Sequence, residues 1–292
     1  MFSEINLLSI GSKSDRNEDC ILGTQELLLV IDGASGLTET NITSAPSDSQ
    51  WFSTRAVSII HELCERRPMI DSGDVLLLAS SRLLEEYKEF AMQLNRQLDF
   101  ADRATFPSGA LAMARQINKK VEFWCYGDCM ILIMKKDGEF LIVRDQRLEN
   151  LDDIVIQEMV KVSREEGISV VDSRKYVTQL LIKNRNLQNK KGGYFCFNLF
   201  LDEGVLKEAK TLTLDLQEIE SVSMYSDGYL EIVHPFRVLE SYAILHEKIS
   251  HEGFARKLFN ELYEKQESDV SCEKYPRLKL RDDSSAIFAR AV

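Results

Sequence analysis

The chain has 292 residues, 44% hydrophobic and 28% charged, the make-up of a globular protein with material for a sizeable core. Its 47 acidic residues outnumber 36 basic ones, leaving a net charge of −11; this repels phosphate backbones and anionic headgroups and argues against nucleic acid or a membrane surface as partner. With no run of about 18 apolar residues and no basic region at the start, neither a membrane-spanning helix nor a secretory leader is expected.

In chain order, residues 4–10 read as a short strand followed by a polar turn, and residues 19–31 as a hairpin turning at Gly23 and Thr24. Residues 36–50 read as polar loop. Apolar residues near helical spacing, such as Phe52, Val57, Ile60 and Leu63, predict helices over 51–66 and 74–98. Four β-rich pieces follow: GALAMARQI, VEFWCYG, CMILIMKK and EFLIVR. Asp137-Gly138, between the last two, reads as a plain hairpin turn. Residues 146–192 read as helical, charged and mobile, ending in NKKGG. Strands resume at YFCFNLF and ESVSMYS, a helical stretch covers 236–266, and SSAIFARAV is a final strand. This order implies an α+β fold, two antiparallel sheets covered by helix pairs. The five prolines are scattered and no linker-like composition divides the chain, so a single domain over 1–292 is expected.

Six cysteines (20, 64, 125, 129, 196 and 272) form no CxxC pair and mostly sit among apolar residues; buried, reduced thiols are expected, as in a cytoplasmic protein. The histidines at 61, 234, 246 and 251 are expected to be structural or solvent-facing. Ser35 has no evident base partner and is not expected to act as a nucleophile.

The β-rich pieces share an oddity at their ends. Asp32 ends LLLVID, Asp128 ends VEFWCYGD, Asp227 ends SVSMYSD, and Asp282 with Asp283 begins DDSSAIFARAV, while Glu18 and Asp19 precede the first hairpin. A single Asp-Gly is the ordinary mark of a turn, but Asp32 and Asp227 lack the closely following strand that a hairpin needs. Clustered carboxylates repel one another unless cations neutralise them. Hard divalent ions such as Mn²⁺ and Mg²⁺ take oxygen ligands, and an aspartate beside glycine offers a carboxylate and an unobstructed carbonyl together. Two such ions about 3.5–4 Å apart bridge a water and clamp a phosphoryl group. No GxxxxGK[ST], GxGxxG or HExxH motif is present, so hydrolysis suits the set better than transfer from a nucleotide.

The order RNED, VIDGASG, PSGALA leading to WCYGD, MYSDG and RDDSSAIFAR resembles the metal-dependent protein phosphatase family, the type 2C serine/threonine phosphatases, over residues 4–292. KKGGYFCF draws the likeness towards bacterial, stand-alone members. The resemblance implies a four-layer αββα sandwich, with the variable flap of the family at about 146–192. It implies two Mn²⁺ or Mg²⁺ ions and a third, weaker site. Asp32 would bridge the pair, the Gly33 carbonyl would bind one ion, and Asp227 and Asp282 the other. Glu18 would act through a metal-bound water, and Asp128 with Asp227 would serve the third site. The implied reaction is in-line attack by a metal-bridging hydroxide on phosphoserine or phosphothreonine of a protein, without a phosphoenzyme; a cognate serine/threonine kinase is the implied counterpart.

Two departures stand out. The usual phosphate-binding arginine, four residues before Glu18, is Ser14 here; Lys13 and Arg16 are nearby, and Arg16 has the better-suited bidentate fork. A histidine that follows Asp-Gly in many eukaryotic members is Ala34, leaving protonation of the leaving group to water or another acid. Three readings stay open: a protein phosphatase, a pseudophosphatase that binds a phosphoprotein or kinase without hydrolysing it, and a phosphatase of a small metabolite.

Overall fold

The architecture rests on residues 1–34, 41–100 and 102–292, which the computed structural model describes. The expectations for Ser35 and for 36–40 lie outside them. Alternating apolar residues set the layers. In β3 (Leu27–Ala34), Leu27, Leu29 and Ile31 face one way and Leu28 and Val30 the other, and both rows are buried. Such a strand needs cover on both faces.

One antiparallel sheet runs in the order β1 (Phe2–Ile10), β11 (Ser284–Ala291), β10 (Ile219–Tyr225), β6 (Met130–Lys135), β7 (Phe140–Arg144). The other runs β2 (Asp19–Gly23), β3, β4 (Ser108–Ile117), β5 (Lys120–Tyr126), β9 (Lys210–Asp215), with the two-residue β8 (Phe197–Asn198) also paired to β4. Leu28, Val30, Ala112, Phe123, Ile131, Val222 and Ile287 fill the space between the sheets. Helices α1 (Asp48–Arg66) and α2 (Ser72–Gln93) cover the second sheet, packing Phe52, Ile60, Leu76 and Leu83 onto Leu29, Ile31 and Met113. The long helix α3 (Arg147–Glu166) and the shorter α4 (Val170–Ser173) and α5 (Thr178–Arg185) lie in the 146–192 segment; α6 (Glu203–Leu206) and α7 (Asp227–Leu230) are single turns. Helices α8 (Tyr242–Ile249) and α9 (Phe254–Glu267) cover the first sheet with Leu245, Ile249, Leu258 and Leu262. The arrangement is an αββα sandwich, as the resemblance implied.

The details differ from the sequence reading where local chemistry intervenes. Helix α1 begins three residues early because the Ser47 hydroxyl caps it, accepting from the Gln50 N–H. Helix α2 stops at Gln93, short of 98, as Asn95 turns to φ 51°. The expected helix over 236–266 is two helices, broken at Gly253 with φ 79°, and does not include 236–241. YFCFNLF contributes only Phe197–Asn198 to a sheet: Asn189 pins the rest as a loop, its side chain accepting from the Cys196 N–H and donating to the Cys196 carbonyl. Strand β9 was not expected, since KTLTLD carries only Leu212 and Leu214 as inward apolar residues. Asp137-Gly138 forms its hairpin, with Lys135 N–H donating to the Glu139 carbonyl at 2.9 Å. All six cysteines are free. The segment 146–192 has an apolar cluster of its own, Val155, Met159, Val170 and Val177, closed by Cys272 from beyond α9.

Candidate functional site

At one end of the sandwich the apolar rows between the sheets turn acidic. The row Leu28–Val30 on β3 continues to Asp32. Strand β3 runs on to Ala34, pairing Gly33 with Gly109 and Ala34 with Ser108, so Asp32 lies inside the strand and not at its end. Directly across the ladder from Asp32 is Asp19. Asp128 occupies the tight turn between β5 and β6, after Gly127 at φ 67°. Asp227 follows β10 and opens α7, and Asp282 and Asp283 precede β11, which starts at Ser284. Four separated stretches of sequence therefore deliver carboxylates to one region.

Hydrogen bonds hold this end together. The Asp283 carboxylate accepts from the backbone N–H of Ser12 and of Glu18, both at 2.6 Å. The Ser226 hydroxyl donates to Asp19 Oδ2 at 2.8 Å and accepts from the Ser285 N–H at 2.9 Å, linking the two sheets. Burial pushes the Asp32 and Asp128 carboxyls well above the ordinary range, and the neighbouring carboxylates, Asp227 among them, push the same way. Burial lifts Asp19 to about 8 against the hydrogen bonds from Ser226 and Ser285. It lifts Asp282 to about 6, with the Lys279 ammonium opposing.

Among the described residues, no three His, Cys, Asp or Glu side chains converge closely enough to hold an ion between them. The donor chemistry nonetheless fits a hard divalent cation. The groups are carboxylate oxygens that raise one another's proton affinity. Asp227 Oδ1 and Asp19 Oδ1 are buried with no hydrogen-bond partner among the described residues. Gly33 sits where a Cβ would stand 2.6 Å from the Glu18 carbonyl oxygen and 2.7 Å from that of Ser49, so only glycine lets β2, β3 and α1 close together beside Asp32.

A cavity of about 360 Å³ opens beside these carboxylates, lined by Asp128, Asp227 and Asp282 on one side and by α3 residues Glu149, Asp152, Asp153 and Ile156 on another. Arg144, paired with Glu149 at 2.5 Å, and Lys279, on both oxygens of Asp282, supply positive charge to its wall. Burial, aided by Asp227, lifts the Asp152 carboxyl to about 7. Asp152 and Lys279 did not emerge from the sequence. The stripe Glu149, Asp152, Asp153, Ile156 at helical spacing was visible, but a charged helix face reads as solvated. Lys13 and Arg16 lie elsewhere: they bridge to each other before β2, Arg16 Nε stands 3.5 Å from Glu18 Oε1, and neither lines this cavity. Of the histidines, His234 lines the cavity; His246 is buried between Ser221 and Ser223, 2.8 and 2.6 Å from their hydroxyls. Lys190 and Lys191 are exposed.

No protein-family model matches the sequence, and no curated protein matches it. Solved structures do match the fold. The serine/threonine phosphatase PstP/Ppp of Mycobacterium tuberculosis superposes with a TM-score of 0.56 at 12% identity, covering 99% of each chain. PppA, a regulatory component of the type VI secretion system in Pseudomonas aeruginosa, gives 0.53 at 13% identity over 100% of this chain and 99% of its own. The PstP catalytic domain in complex with two manganese ions gives 0.55 at 14% identity over 99% and 97%. Over essentially its whole length, this chain has the fold of the metal-dependent, type 2C serine/threonine phosphatases.

Proposed function

We propose that the chain is a Mn²⁺- or Mg²⁺-dependent phosphomonoester hydrolase that removes phosphate from phosphoserine and phosphothreonine in proteins. In this reading residues 1–292 are one cytoplasmic domain with a flap at 146–192, and its partners are phosphorylated proteins and the kinase that modifies them. The observation that carries it is the delivery of Asp32, Asp128, Asp227 and Asp282 from four stretches of sequence to one half-buried end of this sandwich, where they raise one another's proton affinity. That PstP was solved with two manganese ions supports the choice of cation.

Asp32, the Gly33 carbonyl, Glu18, Asp227 and Asp282 would hold two ions, and Asp128 with Asp227 would serve a third. Bound there, the ions would supply an acidified water and positive charge for the phosphoryl oxygens. The protein's own groups do the rest. The hydrogen bonds from Ser12 and Glu18 to Asp283 fix the loop that carries Glu18 relative to Asp282. Helix α3 forms one wall of the cavity, and Arg16 or Lys13, which lie outside it, would orient the phosphate from the Glu18 side, where Arg16 Nε stands 3.5 Å from Glu18 Oε1. Asp152, lifted by burial to about 7, can hold a proton on the cavity wall below that pH.

The test is phosphate release from p-nitrophenyl phosphate and a phosphothreonine peptide, in Mn²⁺ and in EDTA. Asp227→Asn should lower the Mn²⁺-dependent rate at least about a hundredfold. The pseudophosphatase reading is favoured by Ser14 and by the lysine seated on Asp282. A folded wild type that binds the phosphopeptide without metal-dependent release would establish that reading and overturn the first.

A further inference from the structure

We infer that Lys279 is a tethered cation of the acidic centre: it holds Asp282 when no ion is bound and competes with a divalent ion for that carboxylate. The Lys279 Nζ donates to both Asp282 oxygens, at 2.8 and 2.7 Å, and so covers the two atoms that a cation would need. It shares the cavity wall with Asp227 as well. The position is built rather than incidental. Two residues earlier, the buried Arg277 guanidinium donates to Asp269 Oδ2 at 2.8 Å and to the carbonyls of Asp269, Tyr275 and Leu280, which locks the backbone from which Lys279 projects. The four-carbon stem is the movable part. The Lys279 side chain is 47% exposed, so the ammonium has an open way out to solvent when a doubly charged ion displaces it.

The inference rests on the metal reading above. A divalent ion taking Asp282 must break this ion pair, and it meets a centre already carrying one positive charge. The affinity of the site is thereby set lower than its carboxylates alone would give, and the metal-free protein is spared an unneutralised Asp282.

Calorimetric titration with Mn²⁺ alone tests it, on wild type, Lys279→Met, Lys279→Arg and, as a control of equal charge change, the exposed Lys207→Met. Lys279→Met should bind Mn²⁺ on the order of tenfold more tightly. Lys279→Arg and Lys207→Met should stay near wild type. In EDTA the melting temperature of Lys279→Met should fall below wild type, and saturating Mn²⁺ should close the gap, a readout independent of activity. Mn²⁺ binding that Asp227→Asn abolishes but Lys279→Met leaves unchanged or weakens would overturn this inference and leave the metal reading standing. Absence of Mn²⁺ binding in wild type and Lys279→Met alike would overturn both.

Discussion

Three Asp-Gly pairs look alike in the sequence and differ in what their glycines do. Gly138 takes φ 88° with nothing near its missing side chain, so its value is conformational. At Gly33 and Gly228 the reason is crowding: a Cβ on Gly228 would overlap the Asp283 carbonyl oxygen. Gly228→Ala should therefore destabilise the protein by about 1–3 kcal/mol in urea melts, through overpacking. Gly138→Asn, in a position asparagine tolerates, should stay within about 0.5 kcal/mol. The sequence showed that Asp32 and Asp227 were not hairpin residues, because no partner strand followed. It could not show that Lys279 lies on Asp282, since that contact depends on how Arg277 anchors the preceding loop.

Among the elements, the strands and covering helices were readable because their apolar rows are long and regular. Their ends were not, because single residues decide them: Ser47, Asn95 and Gly253. The 146–192 segment is the opposite case. Its charge pattern hid a small core built around Val155 and Met159 and completed by Cys272, more than a hundred residues further on. Met159→Ala should cost that core about 2–5 kcal/mol. Limited proteolysis should then cut within 146–192 while the two-sheet body stays resistant. Equal loss of protection everywhere would show that the segment and the sheets unfold as one.

Over the whole molecule, the buried acids set a pH dependence. Glu231 is lifted by burial from 4.5 to about 8, and Asp152 to about 7, so the folded chain keeps protons that the unfolded chain has released. Their contribution to stability is full below about pH 4 and is lost as pH rises through 7 and 8. His246 works the other way: burial lowers it to about 4, so its contribution is full above about 6.5 and is lost as pH falls towards 4. Between pH 6.5 and 8.5 this histidine no longer changes; the raised carboxyls lower stability as pH rises, and the Met1 amino group, lowered from 8.0 by burial, opposes them. In EDTA the melting temperature should fall across that window, and Glu231→Gln should flatten the fall. A melting temperature that rises across it would contradict the burial of these acids.

Strand β11 lies between β1 and β10, yet it is the latest of the described strands in chain order. The sheet thus stays open down its middle until residues 284–291 arrive, and Asp283 reaches the loop at 12–18 only then, across more than 260 residues of chain. Such distant closures are slow, and the waiting edges of β1 and β10 are sticky. The acidic centre is consequently an all-or-nothing product of biosynthesis: a nascent chain interrupted before residue 282 would bring the ribosome an aggregation hazard and no partly assembled site.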